Sequence, residues 1–205
     1  MPGDVPGPHD SIEFCSIVNH GIRNDWMEEQ MIDPIVQFVQ NMNQLCVPRR
    51  VAAQAGGGAA PYPAVPVVFR GASLPTRYLT FYEENIGNVY RVPGFLATSF
   101  VEGTATRFLL RRQGVRRQSP VLYRVHLDPR GHGDTQFRCQ HVNLLARPDA
   151  GHQEHEFLFA PYAPFRVRAV HRAACTQDDP YHVIDLEATL DGKLEAEDVP
   201  LAPFY

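Results

Sequence analysis

The sequence predicts an α+β protein built on a mainly antiparallel sheet. Three observations predict it: helical periodicity in the first quarter, a Gly/Pro-rich stretch after it, and a succession of short strands thereafter. Residues 1–10 hold three Pro and two Gly and are expected to be disordered. Residues 11–50 are expected to form a helical N-terminal element. Asp10 or Ser11 can cap its first helix, with Glu13 in the opening turn and Ile12, Cys15, Ile17 and Val18 at helical intervals. Asp33-Pro34 starts a second helix, which aligns Ile35, Phe38, Val39, Met42 and Leu45 on one stripe. Residues 51–66, with Gly56-Gly57-Gly58 and three prolines, read as a linker.

From 67 to 190 strands are expected at Val67–Arg70, Phe95–Phe100, Val121–Leu127, Glu156–Phe159, Phe165–Val170 and Tyr181–Leu186. Helices are expected at Leu79–Asn85 and Thr104–Arg112, and 191–205 is expected to be a C-terminal tail.

Composition narrows the function classes. The 205 residues, 44% hydrophobic and 20% charged, suffice for one full core and a small appendage. A net charge of −4 gives no global positive field, so nucleic acid is not an expected partner. No apolar run is long enough for a membrane span, and the N-terminus has neither the basic start nor the apolar run of a signal peptide. A soluble, cytoplasmic protein is expected, and delivery as an effector is compatible with that. Cys15, Cys46, Cys139 and Cys175 form no C-x-x-C pair and are expected to be buried free thiols.

Three polar positions beside apolar runs carry the chemical signal. Arg70 closes the run Val67-Val68-Phe69, where a guanidinium can grip a phosphate or carboxylate through two hydrogen bonds. The ordinary explanation is an edge-strand arginine paired with a surface acid. Thr98 and Ser99 follow Phe95-Leu96-Ala97, and either hydroxyl can serve as a helix cap. Glu154 and Glu156 flank His155 before Phe157-Leu158-Phe159. In an extended chain the two glutamates share a face, and their repulsion is tolerable when exposed or answered by a cation.

Taken in order, Phe69-Arg70-Gly71, Ala97-Thr98-Ser99 and Glu154-His155-Glu156, followed by Phe157-Leu158-Phe159-Ala160-Pro161 and Phe165-Arg166-Val167, resemble the Arg, Ser-Thr-Ser and Glu-x-Glu signature of the arginine-type mono-ADP-ribosyltransferases. The similarity runs from about residue 62 to 172, and Phe14–Leu45 resembles the helical lead-in of several members.

The resemblance implies a split, mainly antiparallel sheet in a catalytic domain over 67–190. It also implies NAD consumed as a substrate, nicotinamide released, and ADP-ribose moved to an arginine of a target protein. Glu156 would hold the ribose 2′-hydroxyl and support the oxocarbenium-like transition state, and Glu154 would orient or deprotonate the acceptor. Arg70 would clamp the NAD pyrophosphate or ribose, and Ser99 would orient Glu156. Gly71 would let its backbone approach the nicotinamide amide, and Thr98 would join the NAD-binding set. Ala97 stands where the family has its first Ser. The aromatic that stacks on nicotinamide would be Phe100 or Phe108, core packing being the ordinary role of each.

Other readings are weaker. His152 and His155 lack His-Glu-x-x-His spacing, and the alternation after Glu156 favours a strand, so no metal is expected. His126, His141 and His171 read as hydrogen-bonded structural residues. Arg107, Arg111, Arg112, Arg116 and Arg117 form a local basic cluster, which a solvated helix face explains, the alternatives being contact with the NAD phosphates or docking of an acidic target protein. The alternative functions are NAD glycohydrolase, transfer to a non-arginine acceptor, and a non-catalytic NAD-binding or interaction module.

Overall fold

The computed structural model describes residues 36–41, 65–111, 118–132, 134, 137–139, 141–143, 155–189 and 199–202. Residues 36–41 are helical, within the stretch expected to form the second N-terminal helix. The rest of that element, most of the linker, Glu154, Cys15 and Cys46 lie outside the described residues.

Eight strands form one sheet. They are β1 (Val67–Pro75), β2 (Val89–Val92), β3 (Leu96–Ser99), β4 (Gln118–His126), β5 (His141–Asn143), β6 (Glu156–Phe159), β7 (Ala163–His171) and β8 (His182–Ala188), in the order β2-β7-β8-β4-β1-β3-β6-β5. Every pairing is antiparallel except β4 with β8. Helix α1 (Leu79–Glu84) follows a 3₁₀ turn, and α2 (Glu102–Arg111) follows β3. The fold is therefore α+β with a mainly antiparallel sheet, as the strand pattern predicts.

One face of the sheet carries the main core. Val68 and Leu74 of β1, Val121, Tyr123 and Val125 of β4, Phe157 and Phe159 of β6, Phe165 and Val167 of β7, and Ile184 and Leu186 of β8 belong to one buried cluster with Leu79 and Tyr82 of α1. Their period of two is what a strand needs to bury one face. On the other face α2 packs Ala105 and Leu109 against Leu122, with Phe69 and Tyr181 at the margin.

Several details depart from the sequence expectations. Strand β1 runs five residues beyond Arg70, because pairing with β4 continues from Gly71 opposite Leu122 to Pro75 opposite Gln118. Gly71-Ala72-Ser73 has little intrinsic strand signal, so the tertiary partner decides. Strands β2 and β5, of four and three residues, were not expected at all. Between α1 and β2, Gly87 at φ +89 makes the left-handed turn that a residue with a Cβ adopts reluctantly. Residues 199–202, inside the expected tail, are stitched to the sheet edge: Arg91 N–H donates to Pro200 O, Ala202 N–H donates to Arg91 O, and Ala202 is buried.

A register shift in β7 between Val167 and Ala169 changes which side chains face the core. Val167 is buried against the core, whereas His171, of the same parity, reaches the opposite face and bonds Asp185. Cys139 is a buried free thiol, as expected, but Cys175 is exposed, carried at φ +55 in the β7–β8 connection.

Candidate active site

The three motifs fall on adjacent strands: Arg70 on β1, Thr98 and Ser99 on β3, and Glu156 on β6. Strand β1 is an interior strand between β4 and β3, so Arg70 is not the edge-strand arginine that its sequence context suggests. Phe69 lies opposite Ser99, and Ser99 lies opposite Glu156. Directly opposed residues share a face, so the Ser99 hydroxyl and the Glu156 carboxylate are cross-strand neighbours. Ser99 is buried and Glu156, the first residue of β6, is half-buried.

Arg70 lies opposite Tyr123 and so issues from the core side of β1. Its Nη1 donates to Ala97 O at 2.9 Å, which brings the guanidinium to β3 two residues before Ser99. Behind it, burial pushes the Tyr123 phenol up to about 12 against the opposing pull of its bond with Tyr82 and of the Arg70 charge. Burial likewise raises Tyr82 and Tyr90 well above the ordinary phenol range. The buried tyrosines therefore stay neutral, and the Arg70 charge acts on Tyr123 beside it.

Thr98 lies on the core side too, away from the face of Ser99. It is buried, and its Oγ1 donates to Phe157 O at 2.5 Å, tying β3 to β6 on the core side. The Ser99 Oγ accepts the Val101 N–H at 3.1 Å, so the hydroxyl holds the turn into α2 as well as facing Glu156. Gly71 is required by helix packing: a Cβ there would stand 1.9 Å from Ala105 O and 2.9 Å from the Leu109 Cβ.

The extended chain on which a shared face of Glu154 and Glu156 was expected is not found at His155, and Glu154 itself lies outside the described residues. His155 has φ +46, in the left-handed region, and β6 starts only at Glu156. One left-handed residue turns the chain out of the extended geometry on which period-two alternation depends. Of the two candidate aromatics, Phe100 is half-buried against the core, whereas Phe108 is 45% exposed on α2 and is not a core residue. Arg107 is exposed and bonds its own helix through Gly103 O and Thr104 Oγ1; Arg112, Arg116 and Arg117 lie outside the described residues, as does the Arg111 side chain.

Sequence reasoning missed a second polar cluster on the same face. Asp185 accepts two bonds from Arg124, both 2.8 Å, one from His126 Nε2 at 3.3 Å and one from His171 Nε2 at 3.0 Å. Burial alone would raise its carboxyl, but the bonds from Arg124, His126 and His171 outweigh that and hold it below the usual carboxylate range. His126 and His171 are thus hydrogen-bonded as expected, and the His141 side chain lies outside the described residues. Among the described residues no group of three His, Cys, Asp or Glu side chains is arranged to hold a metal ion, and no helix is long and apolar enough to cross a membrane.

With this arrangement the chain has an ADP-ribosyltransferase-like fold. It is similar to the Vis toxin, an ADP-ribosyltransferase from Vibrio splendidus, with a TM-score of 0.61 and 19% identity over 92% of this chain and 72% of that one. It is similar to the enzymatic component C2-I of the C2 toxin from Clostridium botulinum, with a TM-score of 0.52 and 13% identity over 87% of this chain and 40% of that one. Exoenzyme S from Pseudomonas aeruginosa, solved with human 14-3-3 protein beta and bound to carba-NAD, gives 0.51 and 16% over 89% and 72%. Vis has also been solved in complex with agmatine. No family model matches the sequence, and no curated protein matches it.

Proposed function

We propose that the protein is a mono-ADP-ribosyltransferase that moves ADP-ribose from NAD to an arginine of a target protein and releases nicotinamide. The observation that carries this reading is the cross-strand pair of Ser99 and Glu156 in an ADP-ribosyltransferase-like sheet, with the Arg70 guanidinium bonded to Ala97 O of the same strand as Ser99. Breaking the bond between ribose and the nicotinamide nitrogen develops positive charge on the sugar. A carboxylate fixed beside that position stabilises charge that exists only in the transition state. Glu156 fits this role because the sheet anchors it, and Ser99 orients it. Arg70 supplies the cation for an anionic portion of NAD, such as the pyrophosphate.

The acceptor side rests on Glu154. An arginine is fully protonated at neutral pH, so its attack needs a carboxylate to attract it and to receive a proton. The agmatine complex of Vis supports a guanidine acceptor, agmatine being a small guanidine. NAD is consumed as substrate, and the reading calls for no metal.

The test incubates the purified protein with NAD and agmatine and quantifies ADP-ribosyl-agmatine and free ADP-ribose by mass spectrometry. Glu156→Gln is expected to lose both products by about 10²-fold or more. Glu154→Gln is expected to lose the agmatine product while hydrolysis survives. Free ADP-ribose alone from the wild type would assign a glycohydrolase or a different acceptor, and neither product would remove the enzymatic reading.

A further inference from the structure

We propose that Phe100 is a positioning residue that locks the end of β3 to the start of β6 and so holds Ser99 opposite Glu156; the proposal rests on the transferase reading of this site. Phe100 follows Ser99 and Phe157 follows Glu156, so each ring is one residue from a group that must be placed. The two rings meet edge to face, with centroids 5.5 Å apart and planes at 77°. Phe157 is fully buried and is itself gripped by Phe159 at 4.9 Å, which meets Phe165 of β7 at 5.1 Å. Phe100 is thereby tied through an aromatic chain to the far part of the core.

The backbone repeats the tie. The Phe100 N–H donates to His155 O at 3.0 Å, beyond the last ladder pair of Ser99 and Glu156. Thr98 Oγ1 donates to Phe157 O and Val101 N–H donates to Ser99 Oγ, so residues 98–101 all have their place fixed around 155–157 or around one another.

This lock stands where the sheet itself gives out. His155 at φ +46 ends the extended geometry of β6 immediately before Glu156, so beyond the Ser99–Glu156 pair the backbone tie consists of the Phe100 N–H bond to His155 O. An edge-to-face ring pair adds a side-chain constraint to that bond and contributes packing beyond its buried area. Catalytic groups must be held within about 0.5 Å of their productive geometry, and a displacement of about 1 Å costs up to about a hundredfold. A ring engaged in this way acts through the two site residues and not by stacking on substrate.

Kinetics of Phe100→Leu, Phe157→Leu, the double variant and Phe100→Tyr test the proposal, with thermal melts to verify folding. Phe100→Leu is expected to lower kcat for NAD hydrolysis and for agmatine transfer by the same factor, about tenfold. The KM for NAD and the inhibition constant of nicotinamide should move less than about twofold, because binding is untouched. The double variant should lose little more than the worse single one, and Phe100→Tyr, which keeps the ring, should retain kcat. A nicotinamide inhibition constant raised with kcat intact would assign stacking and overturn the proposal, as would fully additive losses.

Should the wild type cleave no NAD, the transferase reading fails while the lock is still open to measurement. Amide hydrogen exchange at residues 100 and 101 must then accelerate in Phe100→Leu; unchanged exchange overturns the lock.

Discussion

Asp185 and Glu156 occupy one row across one face of the sheet, yet they are built for opposite ends. The register runs from Asp185 to Arg124, to Phe69, to Ser99, to Glu156 across five adjacent strands. Asp185 sits inside β8 with strands on both sides, and Arg124, His126 and His171 converge on its two oxygens. Glu156 starts its strand beside a left-handed residue. A carboxylate in mid-sheet, surrounded by donors, is a structural tie; one at a strand start, with a cross-strand hydroxyl beside it and a left-handed residue before it, is the one that the proposed transferase reading puts to work. The same residue class on the same face acquires its role from the neighbours that the register supplies.

The comparison breaks most completely at the seam that joins the two regions. Gly71→Ala places a Cβ against the backbone oxygen of Ala105, which cannot rotate away, so α2 must lift from the sheet. A loss of about 3 kcal/mol or more is expected, read as a large drop in the urea midpoint together with lost activity. Glu156→Gln separates the two regions next: the hundredfold loss of NAD cleavage expected above should come with a melting temperature close to that of the wild type, since the change conserves shape.

Asp185→Asn should do the reverse, costing stability and leaving kcat for NAD cleavage near its wild-type value. Removing one member of a buried pair costs about 3–5 kcal/mol, but Arg124 is 39% exposed and recovers hydration, so about 2 kcal/mol is expected. The pH dependence sharpens this further. The folded carboxyl is held below its unfolded value of about 3.9, so its contribution is complete above that value and is lost as pH falls through the folded value. Urea denaturation from pH 7 to pH 2 should therefore show a flatter acid limb in Asp185→Asn than in the wild type. A parallel limb would show that Asp185 is not the group responsible. Smallest of all, Glu83→Gln breaks an exposed pair with Arg172, whose bonds of 2.6 and 2.7 Å lie at the surface, and should leave the melting temperature unchanged within error.

The two regions also differ in how far they could be read in advance. Arg70, Ser99 and Glu156 were legible because each follows or opens an apolar run, and three such positions in one order are distinctive. The Asp185 tie was not, since Arg124, His126, His171 and Asp185 are scattered over three strands. The bulge that turns His171 onto the right face leaves no mark in a residue pattern. Gly71 was legible as a special position, but the helix behind that requirement was not. The shared face of Glu154 and Glu156 was inferred from alternation, and one left-handed φ at an ordinary-looking histidine removed its premise.

By itself the sequence determined the alternation that buries one face of each long strand, the identity of the polar residues beside those runs, and the positions of α1 and α2 to within about two residues. These are local properties, set by side-chain period. Tertiary structure alone decided that β1 lies between β4 and β3, that four-residue β2 and three-residue β5 are strands at all, and that Ser99 looks across at Glu156. Strand pairing is non-local: its hydrogen bonds join residues far apart in the chain, and its register follows from how the whole core packs.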